Sequence, residues 1–236
     1  MHRRSTSMSF FGNIQENDQA APTEDRIGGS YQPLESGVYK GKITQAYGMK
    51  SQRGAMGVRI EFELSIQDKP RKYTQTYWIT NAQGSPTYER DGKQSYLAGF
   101  NHVNAITHLL CNKAIRDMTT KDVNIKIGEK LEPVPMMVEL IDKPVALAIL
   151  KVRENKRAKV NDEYVAVNEE QFVNDTDYVF NAQGLTHLEW KNGQTEPKFI
   201  FEWKKVNDGN VRDKYKEVKE KASASSSTST GNIDFA

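Results

Sequence analysis

Val58-Arg59-Ile60-Glu61-Phe62-Glu63-Leu64-Ser65-Ile66 alternates apolar and polar residues without a break. Strict alternation marks a half-buried strand, with Val58, Ile60, Phe62, Leu64 and Ile66 on the core face. Asp68-Lys69-Pro70 reads as a tight turn, and Arg71-Lys72-Tyr73-Thr74-Gln75-Thr76-Tyr77-Trp78-Ile79 returns antiparallel. The returning strand differs in kind. Before Ile79 neither of its faces is aliphatic: Arg71, Tyr73, Gln75 and Tyr77 share one, and Lys72, Thr74, Thr76 and Trp78 the other. A strand carrying rings and cations has something other than core to face, and alternation alone does not choose which side does so.

Upstream, Glu35-Ser36-Gly37 leads into a strand over residues 38–47, where Gly41 permits a bulge or sharp coil. A Gly-rich basic loop holding Lys50, Arg53 and Gly54 joins it to the alternating strand. Downstream, Asn81-Ala82-Gln83-Gly84-Ser85-Pro86 reads as an irregular loop. Its first four residues recur at Asn181-Ala182-Gln183-Gly184, but unmatched flanks argue against an internal repeat. A helix is expected from about Ser95, as N-cap, to about Ile115, with Phe100, Val103, Ile106, Leu110 and Ala114 on one arc. Residues 136–141 and 145–153 read as strands broken by Asp142-Lys143-Pro144, and residues 163–167 pair back on the second. Residues 199–206 suggest a weaker strand. This order predicts a mainly β fold over residues 34–206: a five-stranded OB-fold-like barrel with one helix between strands three and four. Residues 1–33 read as a flexible arm, 207–222 as a charged helix, and 223–236 as a serine-rich linker with a short tip.

Composition narrows the function. A hydrophobic content of 37% in 236 residues is low, so a modest core with polar extensions is expected. Net charge is only +2, which argues against an indiscriminate duplex binder. Its distribution matters more. Residues 38–93 hold ten Lys/Arg against five Asp/Glu, residues 151–159 five against one, and residues 160–190 none against seven. The lone Cys111 rules out an intramolecular disulfide or a multi-cysteine zinc site, and its apolar helical setting suggests a buried structural thiol. No apolar run approaches the ~20 residues of a membrane span, and the start lacks a secretory signal, so a cytoplasmic protein is expected. No phosphate loop, zinc-protease or nucleophile-elbow motif occurs, and His102, His108 and His187 have no ligand spacing. The reading is of a binding protein without metal or organic cofactor.

The candidate ligand is a flexible polyanion with exposed bases. Arg59, Arg71, Lys72, Tyr73, Tyr77 and Trp78 would supply stacking rings and phosphate contacts on the paired strands. A basic hairpin carrying Lys151, Arg153, Lys156 and Arg157 would embrace the backbone. The acidic stretch with Asp162, Glu163, Glu169, Glu170, Asp175 and Asp177 supports an alternative, a magnesium-dependent nuclease or recombination enzyme. A second alternative is a module that binds only other proteins.

Gly37-Val38-Tyr39-Lys40-Gly41-Lys42-Ile43, the strand-turn-strand unit ending at Trp78, and a serine-rich tether to Asn232-Ile233-Asp234-Phe235-Ala236 together resemble phage-encoded single-stranded-DNA-binding proteins. The resemblance is one of layout, from about residue 37 to the end. It implies coating of single-stranded DNA in replication, recombination and repair, and is compatible with a homo-oligomer. It also implies a tip whose Asp234 and Phe235 recruit partner proteins. Here Ala236 follows the ring, and Asp234 is the one acidic side chain in the tip, which puts strong competition with DNA in doubt.

Overall fold

The computed structural model describes residues 32–160 and 163–218. The arm up to residue 31 and the tip with Asp234 and Phe235 lie outside the described residues. The elements run in chain order as β1 Gly37–Lys50, β2 Met56–Ile66, β3 Lys69–Trp78, β4 Thr87–Arg90, β5 Lys93–Tyr96, α1 Ala98–Cys111, β6 Lys121–Ile127, β7 Lys130–Met136, β8 Pro144–Val160, β9 Glu163–Phe180, α2 His187–Lys191, α3 Phe199–Asn207 and β10 Val211–Asp213.

The alternating stretch is the strand it promised. Val58 is 4% exposed and Ile60, Phe62 and Leu64 are fully buried, while Arg59, Glu63 and Ser65 are exposed. The turn falls one residue earlier than expected, at Gln67 and Asp68, with φ of 50° and 59°. Positive φ at both central residues twists the hairpin correctly, but Gly, Asn and Asp adopt it more readily than Gln67 does. Replacing Gln67-Asp68 by Asn-Gly should stabilise the protein by about 1 kcal/mol, seen as a rise of roughly 3 °C in a thermal melt.

β1 serves two neighbourhoods. Its first half pairs with β8 and its second with β2 and β7, and a bulge falls between Ile43 and Gln45. The coil depends on Gly41, where an added Cβ would stand 2.2 Å from the Glu63 carbonyl oxygen.

The expected five-stranded barrel does not form. Eight strands make one largely antiparallel sheet, and β4 and β5 pair only with each other. No backbone ladder joins β3 to β9 among the described strands, so the sheet stays open. Side chains and a helix bridge that gap instead. Tyr73 Oη lies 3.0 Å from Thr176 Oγ1. From α1, the His102 ring stacks on Tyr77 and its Nε2 lies 3.1 Å from the Asp177 carbonyl. The helix starts at Ala98 with no side-chain cap, because Ser95, the expected cap, belongs to β5.

β8 explains its own aliphatic run. Val145, Leu147 and Ile149 enter the main core with Ile60, Phe62, Val103 and Ile106. Ala146, Ala148, Leu150 and Val152 face the other way, under Phe180 and Trp203. A strand buried on both faces shows no polar alternation. The second cover is α3, so residues 199–206 form a helix and not the expected strand. Phe199, Ile200 and Trp203 share its packed face, while Phe201 and Val206 face solvent. Glu189, 7% exposed, ties α2 to α3: its carboxylate accepts from the backbone N–H groups of Thr186, Lys198 and Phe199.

The charged helix expected over residues 207–222 does not form over the described part: α3 ends at Asn207 and no helix follows up to residue 218. Val211–Asp213 adds to β8 in parallel, and the chain runs on without regular structure to residue 218. Two asparagines grip it. The Asn155 amide exchanges both hydrogen bonds with the backbone of Lys216, and Asn168 does the same with Val218. The two Asn-Ala-Gln-Gly segments build the same turn although their flanks do not match. In each, the Asn Oδ1 accepts from the N–H groups two and four residues on, and the Gly has φ of 82° or 89°. The tetrapeptide encodes a loop, and no larger repeat surrounds it.

Candidate nucleic-acid interface

Strand register fixes which side chains share the outer face of β1, β2 and β3. The first row is Met49, Gly57 and Trp78, and the second is Tyr47, Arg59 and Thr76. The third is Gln45, Glu61 and Thr74, and the fourth Lys42, Glu63 and Lys72.

Trp78 is 41% exposed. A Cβ on Gly57 would stand 2.9 Å from the indole Cε3, so the ring lies against bare backbone. Its back is held and the rest is open to solvent. Arg59, in the next row, is exposed and donates from Nη1 to Thr76 Oγ1 at 3.4 Å. The exposed loop of residues 51–55 brings Arg53 to the same end of the sheet, next to Lys50. Beyond Gly57, an apolar groove of about 440 Å³ runs past Met56, Ile79, Met118 and Met137, with Lys50 on its lining. A ring held on one side and open on the other, beside an Arg, suits stacking on a base with a phosphate close by.

The opposite end of this face is charge-balanced. Lys72 pairs with Glu61, and Lys42 lies 3.1 Å from Asp142 and 4.0 Å from Glu63. Lys72 is therefore on the outer face as a candidate but already has a carboxylate.

Tyr73 and Tyr77 are corrections. They are 6% and 4% exposed and belong to the main core, so they offer no face to a base. Register is the reason: Tyr73 pairs with Phe62 and Tyr77 with Val58, both inward-facing. Arg71, on the same side and partly buried, does not join the outer face. Burial drives the Tyr77 phenol well above its usual pKa; the Thr176 hydroxyl pulls it back slightly, but among the described residues no partner meets the Tyr77 hydroxyl at good hydrogen-bond geometry. A buried hydroxyl left unpaired costs about 1–3 kcal/mol, so Tyr77→Phe should stabilise by about 1 kcal/mol. Denaturant titration checks this, and a destabilised variant would mean that the hydroxyl is paired after all.

The basic hairpin also changes character. β8 and β9 lay the cationic and acidic stretches side by side. Lys151 pairs with Glu35, Arg153 with Glu170 and Asp213, and Lys156 with Glu169. The Arg153 guanidinium also lies over Tyr215, 4.8 Å from the ring centroid. Arg157 is exposed and, among the described residues, has no ion pair. Most of the expected phosphate clamp is thus neutralised by carboxylates of the fold itself.

The carboxylates considered for magnesium have structural partners too. Asp177 accepts from Trp203 Nε1 at 2.7 Å and pairs with Arg212, and Asp175 pairs with Lys214. Among the described residues no three His, Cys, Asp or Glu side chains converge as a metal-ligand group. Cys111 is only partly buried, with Sγ 3.5 Å from the Glu139 carbonyl oxygen. His187 is not alone: it stacks on His108 at 4.8 Å beside Trp190, and burial, then the His108 charge, holds its pKa below the usual value. No described helix is long and apolar enough to cross a membrane.

Compared with known protein families and with curated proteins, the chain matches none, and its site is read from its own geometry.

Proposed function

We propose that this protein binds single-stranded DNA without sequence preference, on the outer face of β2 and β3 at the Trp78 end. The supporting observation is the Trp78 indole, laid over Gly57 with Arg59 in the adjacent row. Stacking on an exposed ring is sequence-tolerant, because every base has a π-face, and it needs bases that are not already stacked in a duplex. Arg59, Arg53 and Lys50 neutralise phosphates. The protein acts as a binder and not as an enzyme, and needs no cofactor.

The resemblance to phage single-stranded-DNA-binding proteins gives the reading its setting: DNA exposed during replication, recombination and repair, in the cytoplasm of the infected cell. In that setting the tip with Asp234 and Phe235 recruits partner proteins.

At low salt, the protein should retard labelled oligo(dT) and leave a duplex of equal length free. Three phosphate contacts at about 0.7 counterions each give a slope of log K against log salt of roughly −2. A much steeper slope would bring the β8–β9 hairpin cations into the site. No retardation of oligo(dT) at low salt ends the proposal and leaves the face to a protein partner.

A further inference from the structure

We propose that the single-strand track continues past Trp78 onto a second stacking platform, the Tyr96 ring backed by Phe100, at the foot of the β4–β5 hairpin. This rests on the reading of the outer face as a single-strand site and names where the strand goes next.

The hairpin is unusual for a solvated ornament. β4 and β5 pair only with each other, and every residue of the two strands is exposed except Thr87, which is partly so. A lone two-stranded ribbon is marginally stable in water, and here the turn at Asp91 and Gly92, with φ of 52° and 71°, sets its twist. The ribbon nevertheless displays two large rings, Tyr88 at 43% and Tyr96 at 53% exposure.

Tyr96 is not a loose side chain. Its ring stacks on Phe100 with centroids 4.7 Å apart and planes 14° from parallel. Phe100 holds one face of the phenol ring while half of the residue remains open to solvent. Trp78 has the same design, with Gly57 backbone in place of Phe100. An aromatic held in advance loses little freedom when a base stacks on it.

The first turn of α1 ties the backbone of the second platform to that of the first. Gly99 lies between Tyr96 and Phe100 in sequence, and a Cβ there would stand 2.2 Å from the Trp78 carbonyl oxygen. That turn therefore rests directly on the Trp78 backbone. Past Tyr96, Arg90 and Lys93 face each other across the hairpin tip, both exposed, Arg90 with Asp91 3.6 Å away. Rings followed by cations repeat, on the hairpin, the pattern of the outer face. Only a strand with splayed bases can use both platforms.

The test compares Tyr96→Ala, Tyr96→Phe and Arg90→Glu/Lys93→Glu with the unaltered protein. Fluorescence anisotropy reads affinity for two labelled oligo(dT) lengths, about five and about fifteen nucleotides, which bracket the site of one single-strand-binding domain. Loss of one stacked base should weaken Tyr96→Ala on the long oligonucleotide about tenfold and leave the short one unchanged. Tyr96→Phe keeps the ring and should bind like the unaltered protein, whereas the charge reversal should weaken the long oligonucleotide alone. If Tyr96→Ala binds both lengths normally while Trp78→Ala weakens both, the second platform is wrong and the proposed function stands. Equal weakening on both lengths also overturns it, because Tyr96 would then belong to the first contact. If the unaltered protein binds neither length, the functional reading itself fails.

Discussion

Trp78→Ala should lower affinity for oligo(dT) by about fivefold to about 150-fold, the loss of about 1–3 kcal/mol of stacking on one base. The fold should survive. Trp78 is 41% exposed and rests on Gly57 without entering the core, so the thermal midpoint should stay nearly unchanged. The slope of log K against log salt should also stay, because the indole carries no charge. Tyr73→Ala is the contrasting case. It removes a ring from the main core and should cost about 3–5 kcal/mol of stability, so any loss of binding would follow loss of folded protein. A Trp78→Ala variant that is folded and binds oligo(dT) normally would remove the site from this face.

Glu189→Ala should destabilise the protein by about 3 kcal/mol, or roughly 10 °C in a melt. The carboxylate accepts from three backbone N–H groups, of Thr186, Lys198 and Phe199, and so fixes the entry to α3. Alanine leaves those donors without their acceptor and loosens the helix whose Trp203 covers β8. Glu189→Gln, which keeps one carbonyl oxygen, should fall between. The same carboxylate gives a pH signature. Burial pushes its pKa up, but the bonds from Phe199, Thr186 and Lys198 together outweigh it, and the net shift is down from the usual value near 4.5. A group with a depressed folded pKa stabilises above its unfolded value, and that contribution fades as pH falls through the folded one. The stability gap between the unaltered protein and Glu189→Ala should be full at neutral pH and shrink below about pH 4.5. A gap that is flat or widens on acidification contradicts this role.

How far the sequence could be read depended on where partners lie. β2 and the inner half of β8 were legible because alternation, or its absence, follows directly from burial. The orientation of β3 was within reach. Once the turn is placed at Gln67 and Asp68, counting pairs Phe62 with Tyr73 and Val58 with Tyr77, which sends both tyrosines inward and Trp78 outward. Placing the turn at Asp68-Lys69-Pro70 left that count open.

Other features were missed. β6 alternates Val123, Ile125 and Ile127 with Asp122, Asn124 and Lys126, a strand signal that was within reach, whereas β7 is mostly exposed and carries Pro133 and Pro135, so it shows no aliphatic run. Phe199-Ile200-Phe201 reads as a strand until Trp203 is seen to complete a helical face. The neutralisation of Arg153 by Glu170 and Asp213 joins residues 17 and 60 positions away. Charge counted along the chain could not show that the basic and acidic stretches lie side by side. The β4–β5 hairpin was missed for a similar reason, since a polar stretch with two tyrosines looks like a loop until its pairing is known.

Photocrosslinking of oligo(dT) to the protein, followed by mass spectrometry of the attached peptides, tests the central claim most directly. The account predicts crosslinks on the peptide containing Trp78, lost in Trp78→Ala and suppressed by high salt. Crosslinks confined to the β8–β9 hairpin, with the Trp78 peptide untouched, would contradict it.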